Sequence, residues 1–351
     1  MTKKKYNFKN DYSELVHPKV LEKLASIGTA QFEGYGLDEY SEIAKNLIKE
    51  KIGRPDAQVH LVSGGTQANL TVLSSALRPY EAVISCETAH IFVHETGAIE
   101  ATGHKICTAK GVDGKLTVEE IDGVVKTHID EHMVKPKVVF VSLSTEVGSV
   151  YTKEELTRIS DYCRKNNLYL YLDGARLSAG LVSSACNLTY TDIAQLADAF
   201  YMGGTKNGML YGEAIVICNE RLQEDFRYHI KQKGGLLSKG AALGVQFIAM
   251  LEKNEAGDDL YDELARRAYS VAMKLAKGIR DLGYEFLSEP ETNQIFPIFP
   301  ASAVEKLHES YGFYDWCEAG EGRVAIRLVT SWATPEERID EFLEDLSRIK
   351  Q

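Results

Sequence analysis

The chain has 351 residues, with 40 Lys and Arg against 51 Asp and Glu, a formal charge of −11. A chain this acidic cannot replace the counterions of a phosphate backbone, which excludes a non-specific nucleic-acid binder. Its 44% hydrophobic and 26% charged residues exclude a disordered or collagenous chain and suit a soluble globular protein with room for two lobes.

Residues 58–62 read as a strand, 63–66 as a tight turn, 67–77 as a helix and 82–86 as the next strand. Residues 137–143 form a nearly continuous apolar run, the pattern of a buried parallel strand. A helix over 153–165, a strand over 168–172 that ends at Asp173, and a helix over 175–184 follow. Residues 199–202 and 214–218 read as strands. This alternation argues an α/β domain with a mostly parallel sheet covered on both faces. Beyond about residue 238 the pattern changes to long helices over 240–252 and 258–283, short strands near 294–299 and 323–330, and a last helix from Pro335. The expected organisation is an N-terminal segment over 1–51 packing with the smaller lobe, a large α/β domain over 52–238, and linking helices with a small α+β domain over 239–351.

No apolar run reaches the roughly 20 residues of a membrane helix, and no apolar stretch follows the basic residues 1–6 as a signal peptide requires. No membrane partner is expected. The six cysteines (Cys86, Cys107, Cys163, Cys186, Cys218 and Cys317) are scattered without a C-x-x-C pair, as expected of reduced thiols in a cytoplasmic protein. No His, Cys and carboxylate cluster has metal-ligand spacing, so no metal is expected.

Four motifs carry chemistry. Ser63-Gly64-Gly65-Thr66-Gln67 lies between a strand and a helix, where glycines let backbone N–H groups approach an anion at a helix N-terminus. A plain turn would look the same. It lacks the Lys of a phosphate-binding P-loop, and no G-x-G-x-x-G opens a helix, which disfavours nicotinamide binding. His90 follows the strand over 82–86 and falls on the same sheet edge. Asp173-Gly174-Ala175-Arg176 ends a strand, where ligands bind in open α/β sheets, although Asp173 could equally cap the next helix. Lys206, in Gly203-Gly204-Thr205-Lys206, follows an apolar strand, and burial there would lower its pKa as a Schiff-base amine requires. An anion cradle, a ring-sized aromatic, a strand-end Asp and a glycine-flanked Lys are the parts of a pyridoxal phosphate site.

In the order and spacing of these motifs the chain resembles the pyridoxal-phosphate-dependent threonine aldolases, in the β-eliminating lyase group of the fold-type I, aspartate aminotransferase-like superfamily. The resemblance runs from Asn10-Asp11 to Thr330-Ser331-Trp332-Ala333-Thr334. It implies that Gly64, Gly65, Thr66 and Gln67 hold the cofactor phosphate, His90 stacks on the ring and Asp173 pairs with the pyridine nitrogen. Arg176 would lie near the ring oxygen, and Lys206 would carry the cofactor. Lys239, in Ser238-Lys239-Gly240, imitates the lysine motif too, but it begins a helix. The resemblance assigns it to the phosphate of a neighbouring subunit. Arg327 matches the arginine that clamps the substrate carboxylate, and Tyr35 and Asn10 fall in regions that face the substrate.

The chain departs from the family at Ser144-Thr145-Glu146-Val147-Gly148, where many members read Asn-Thr-His before a glycine. Glu146 stands for a histidine linked to the substrate β-hydroxyl. It could act as a base, hold a water or serve as a structural carboxylate. The implied reaction is retro-aldol cleavage of L-threonine or a related β-hydroxy-α-amino acid to glycine and an aldehyde, with Glu146, His90 or a water taking the hydroxyl proton. A pyridoxal-phosphate β-eliminating lyase or an aminotransferase would use the same Lys206 and Asp173. A cofactor-free scaffold protein would predict a colourless protein. The resemblance also implies a homodimer or homotetramer with sites at the subunit interface.

Overall fold

The computed structural model describes residues 5–350; the basic residues 1–4 lie outside them. Strand β1 (Tyr6–Asn7) leads into helices over Pro18–Ser26 and Glu39–Ile52. The second helix starts at Asp38, whose carboxylate accepts the Ser41 N–H at 2.8 Å, and stops at Gly53 with φ 66°, a left-handed position that glycine adopts at no steric cost.

Seven strands follow: β2 (Gln58–Val62), β3 (Glu81–Cys86), β4 (Ile106–Ala109), β5 (Lys135–Ser142), β6 (Tyr169–Asp173), β7 (Ala199–Gly203) and β8 (Glu213–Ile217). They form one sheet in the order β2-β8-β7-β6-β5-β3-β4. The pairs β3–β4, β3–β5, β5–β6 and β6–β7 are parallel, and β8 runs antiparallel between β2 and β7. Every residue of β3, β7 and β8 is buried, as a sheet covered on both faces demands. The α/β expectation with a mostly parallel sheet therefore stands. The strand read over 214–218 is the antiparallel β8, and the helix expected over 175–184 shortens to Leu177–Leu181.

The remaining strands are β9 (Gln294–Ile295), β10 (Ile298–Pro300), β11 (Tyr311–Gly312), β12 (Tyr314–Glu318) and β13 (Arg323–Val329). Here β13 pairs antiparallel with β9, β10 and β12, while β1 pairs parallel with β11. Helices Ala301–Ser310 and Glu336–Lys350 cover this sheet.

Two hydrophobic cores result. One surrounds the seven-stranded sheet and includes Val20, Ala44, Ile48, Phe247 and Leu251. The other holds Phe8, Phe299, Leu307, Ile326, Phe342 and Leu346. The helix Leu260–Asp281 enters both, with Leu264 in the first and Leu275 in the second. Segment 1–51, expected beside the smaller lobe, divides: Phe8 joins that lobe, whereas the two N-terminal helices pack on the large core with helix Ala241–Leu251. The reason is the apolar stripe Ala44, Ile48 and Ile52, which the helix Glu39–Ile52 buries there. Among the described residues no helix is long and apolar enough to cross a membrane.

Candidate active site

The parallel strands end on one edge of the sheet, and a cleft of about 390 Å³ opens there. Asp173 closes β6 and is buried. Its Oδ1 accepts the Tyr201 hydroxyl at 2.5 Å and the Ala175 N–H at 3.0 Å. Its Oδ2 accepts Asn69 Nδ2 at 3.0 Å, and Asn69 Oδ1 in turn accepts the Tyr171 hydroxyl at 2.9 Å. Asp173 thus makes the local turn bond of a capping residue while its carboxylate forms part of the cleft wall.

Lys206 lies in the 3₁₀ turn Thr205–Asn207 that follows β7 and also lines the cleft. Burial lowers its pKa and Arg176 adds to that, against the opposing pull of Asp11, Asp173 and Glu213. Among the described residues it has no salt-bridge partner within 4.0 Å. Glu213, at the head of β8, lines the same cleft and accepts the Gly204 N–H at 2.9 Å. Burial raises its pKa.

Glu146 follows β5. Its Oε1 accepts the His90 backbone N–H at 3.0 Å and the Ser142 hydroxyl at 2.8 Å. Burial raises its pKa, and the negative charge of Asp173 adds to the rise. His90 opens the short helix His90–Val93 after β3, and its Nδ1 lies 2.8 Å from Glu95 Oε1. Arg176 turns to Asp11 in a bidentate pair, Nε to Oδ2 at 2.6 Å and Nη2 to Oδ1 at 3.0 Å. Burial opposes ionisation of Asp11, but Arg176 and Lys206 prevail and its pKa is lowered. Arg327 comes from β13, donating to the Lys9 carbonyl at 3.2 Å, with the centres of the Tyr314 and Trp316 rings each 5.3 Å from its guanidinium carbon.

Gly64, Gly65 and Thr66 complete the wall. No side chain caps the helix Gly65–Ala76 that begins there, and a Cβ on Gly65 would come 2.9 Å from the Tyr201 hydroxyl. Gln67 stands behind the turn instead, its Oε1 accepting the Ser63 N–H at 3.1 Å and hydroxyl at 2.9 Å.

The structure brings Gly64, Gly65, Thr66, His90, Glu146, Asp173, Arg176, Lys206 and Arg327 to one cleft. It does not bring Gln67, Tyr35, Lys239 or Asn10 there. Tyr35 donates its N–H to the Ser238 carbonyl at 3.4 Å, so Tyr35 and the exposed Lys239 are neighbours outside the cleft lining. Asn10 accepts the Tyr12 N–H at 3.1 Å and closes a turn. The sequence reading missed Asp11, Ser144, Tyr201, Glu213 and Gln294. A glutamate heading the apolar run of β8 was a usable signal for Glu213; Asp11 offers none, because its partner lies 165 residues away.

The residues present fit pyridoxal phosphate. Ser144 Oγ, Gln294 Oε1 and Arg327 Nε line the cleft as buried polar atoms without a partner, and each such group costs about 1–3 kcal/mol unless a ligand satisfies it. The uncapped helix start suits a phosphate, Asp173 a protonated ring nitrogen, and Lys206 an aldehyde. Among the described residues no group of three or more His, Cys, Asp or Glu could hold a metal ion.

Known proteins agree. Residues 21–301 match the family model described as beta-eliminating lyase. The low specificity L-threonine aldolase of a Pseudomonas species is 33% identical, covering 99% of both chains. The threonine aldolase of Leishmania major superposes with a TM-score of 0.96 at 44% identity, covering 99% of this chain and 100% of that one. An aspartate aminotransferase of Thermus thermophilus, at 15% identity and a TM-score of 0.72, shares the fold. With this sheet and these strand-end groups the molecule is a fold-type I, pyridoxal-phosphate-dependent enzyme. The chain belongs to the beta-eliminating lyase family, together with the threonine aldolases.

Proposed function

We propose that the protein cleaves L-threonine and related β-hydroxy-α-amino acids between Cα and Cβ, releasing glycine and an aldehyde. The observation that carries this reading is the placement of Glu146, a half-buried carboxylate, in the same cleft as Lys206, Asp173 and the partnerless Nε of Arg327. An aldol cleavage needs a base for the β-hydroxyl, whereas an aminotransferase does not.

When pyridoxal phosphate is bound through Lys206, it supplies an electron sink for the pair released as Cα–Cβ breaks. Arg327 binds the substrate carboxylate, for which a planar guanidinium is suited, and so orients the scissile bond. Ser144 Oγ and Gln294 Oε1 offer a donor and an acceptor to the same substrate. Glu146 takes the β-hydroxyl proton, and the O–H pair becomes the second C–O bond of the aldehyde. Asp173, held by Tyr201 and Asn69, keeps the ring nitrogen protonated. His90, braced by Glu95, would hold the ring of the bound cofactor. Lys206 takes up the proton of the substrate ammonium, returns it to Cα and, as the neutral amine that its lowered pKa favours, releases glycine.

Tyr35 and Lys239 act in the cleft of a second copy, in a homodimer or homotetramer. Their position beside the exposed Phe32, Leu37 and Ile43 supports this, since apolar side chains grouped at a surface favour burial by a partner. The scattered free cysteines fit a cytoplasmic enzyme. Incubation of the cofactor-loaded protein with L-threonine should release acetaldehyde, and Lys206→Ala should abolish release. A loaded, yellow protein that releases none would refute threonine as substrate.

A further inference from the structure

A second cleft, of about 540 Å³, lies at the opposite edge of the sheet. Arg78, Lys135, Lys137 and Arg221 line it beside Tyr80 and Tyr169. Such convergence of cations is unexpected in a chain of formal charge −11. The one carboxylate in the cleft, Glu81, is buried and accepts the Arg78 backbone N–H at 2.9 Å. Among the described residues none of the four cations has a carboxylate partner within 4.0 Å, although Arg54, Lys51, Lys115 and Arg176 all do. Lys137 donates to the Asn167 carbonyl at 2.5 Å and sits 4.3 Å from the centre of the Tyr169 ring. Burial lowers its pKa; Glu81 opposes this, but Lys135, Arg221 and Arg78 add to it. Lys137 therefore feels the other three charges across the cleft, and a bound anion would relieve that repulsion.

We propose that this cleft binds a di- or triphosphate group, held by Arg78, Lys135, Lys137 and Arg221, at a site separate from the catalytic cleft. Guanidinium forks match pairs of phosphate oxygens, and ammonium groups add point charge. Tyr80 is half exposed at the rim and gives a flat surface for a base, should the phosphates belong to a nucleotide. The two clefts stand at opposite ends of β3, β5 and β6. β5 begins at Lys135 in one and ends at Ser142, beside Glu146, in the other. Eight residues of strand separate them by roughly 25 Å.

The test is calorimetric titration of the cofactor-loaded protein with pyrophosphate at fixed ionic strength, so that the phosphate cradle of the catalytic cleft is already filled. Saturable binding of one pyrophosphate per chain is expected, weakened about tenfold or more in Lys135→Glu/Arg221→Glu. Arg78→Ala, a milder change at the surface, should weaken it less, so the result does not hang on the folding of the double variant. ATP binding more tightly than tripolyphosphate would assign the phosphates to a nucleotide; equal binding would assign the site to the phosphate chain alone. No saturable heat, unchanged affinity in the variants, or equal binding of sulfate would overturn the proposal. None of these readouts depends on which amino acid the enzyme cleaves.

Discussion

Glu146 is held between the His90 N–H and the Ser142 hydroxyl, partly withdrawn from water and near Asp173, and each of the last two conditions raises its pKa. A base with a raised pKa accepts a proton more readily near neutral pH. The value of kcat/KM on L-threonine should therefore fall as pH drops through a point above the ordinary 4.5. Glu146→Gln should remove that limb and lower kcat by about 10²–10⁴-fold, as loss of a general base does. Stability should move the other way. A carboxyl whose pKa is higher folded than unfolded costs stability as pH rises from the unfolded value through the folded one. Gln stays neutral and keeps an acceptor, so Glu146→Gln should melt above the parent near pH 8, the difference shrinking toward pH 4.5. Asp11 has the opposite sign. Its pKa is lowered from 3.8, so its contribution is present above 3.8 and is lost as pH falls through the folded value. Asp11→Asn strands the Arg176 guanidinium, and urea unfolding should show a loss of about 3 kcal/mol, the lower range for breaking a buried pair.

The catalytic edge exists because strand ends approach one another more closely than side chains allow. A Cβ on Gly174 would stand 1.8 Å from the Tyr201 carbonyl oxygen, and one on Gly203 would stand 2.4 Å from that of Ala175. These contacts are with backbone, which cannot step aside, so Gly174→Ala should cost about 4 kcal/mol or more and appear in a thermal melt as a large drop or no folded protein. The strands that carry Asp173 and Lys206 were legible because long apolar runs stop abruptly at turn residues. The edge strand β4 was not, because four residues with two half-exposed positions leave too short a pattern. Helix Val118–Thr127 was overlooked although Thr117 and Glu120 form a capping box, as Thr189 and Asp192 do before Tyr190–Leu196. The helix expected over 175–184 starts late because Arg176, at φ −126° and ψ 35°, is not yet helical.

Across the whole molecule the N-terminal segment ties the two cores to the site. Phe8 is fully buried in the smaller core, its ring 5.7 Å from that of Phe342, while three residues later Asp11 grips Arg176 in the cleft. Phe8→Ala should cost about 3–5 kcal/mol by denaturant unfolding and should also weaken cofactor retention, because the segment that positions Asp11 loosens with it. Sequence pattern could not reveal this path, since period and propensity are local and the contacts span nearly the full chain. It also could not reveal how Arg327 reaches the cleft from the other lobe. The order of the motifs did disclose the chemistry, because a cofactor site at the ends of parallel strands is laid out in chain order. The central claim is that this cleft breaks Cα–Cβ rather than eliminating the β-hydroxyl. Quantifying all products formed from L-threonine by the cofactor-loaded enzyme tests it most directly. Glycine and acetaldehyde in equal amounts are the predicted result; ammonia and 2-oxobutanoate in their place would contradict it.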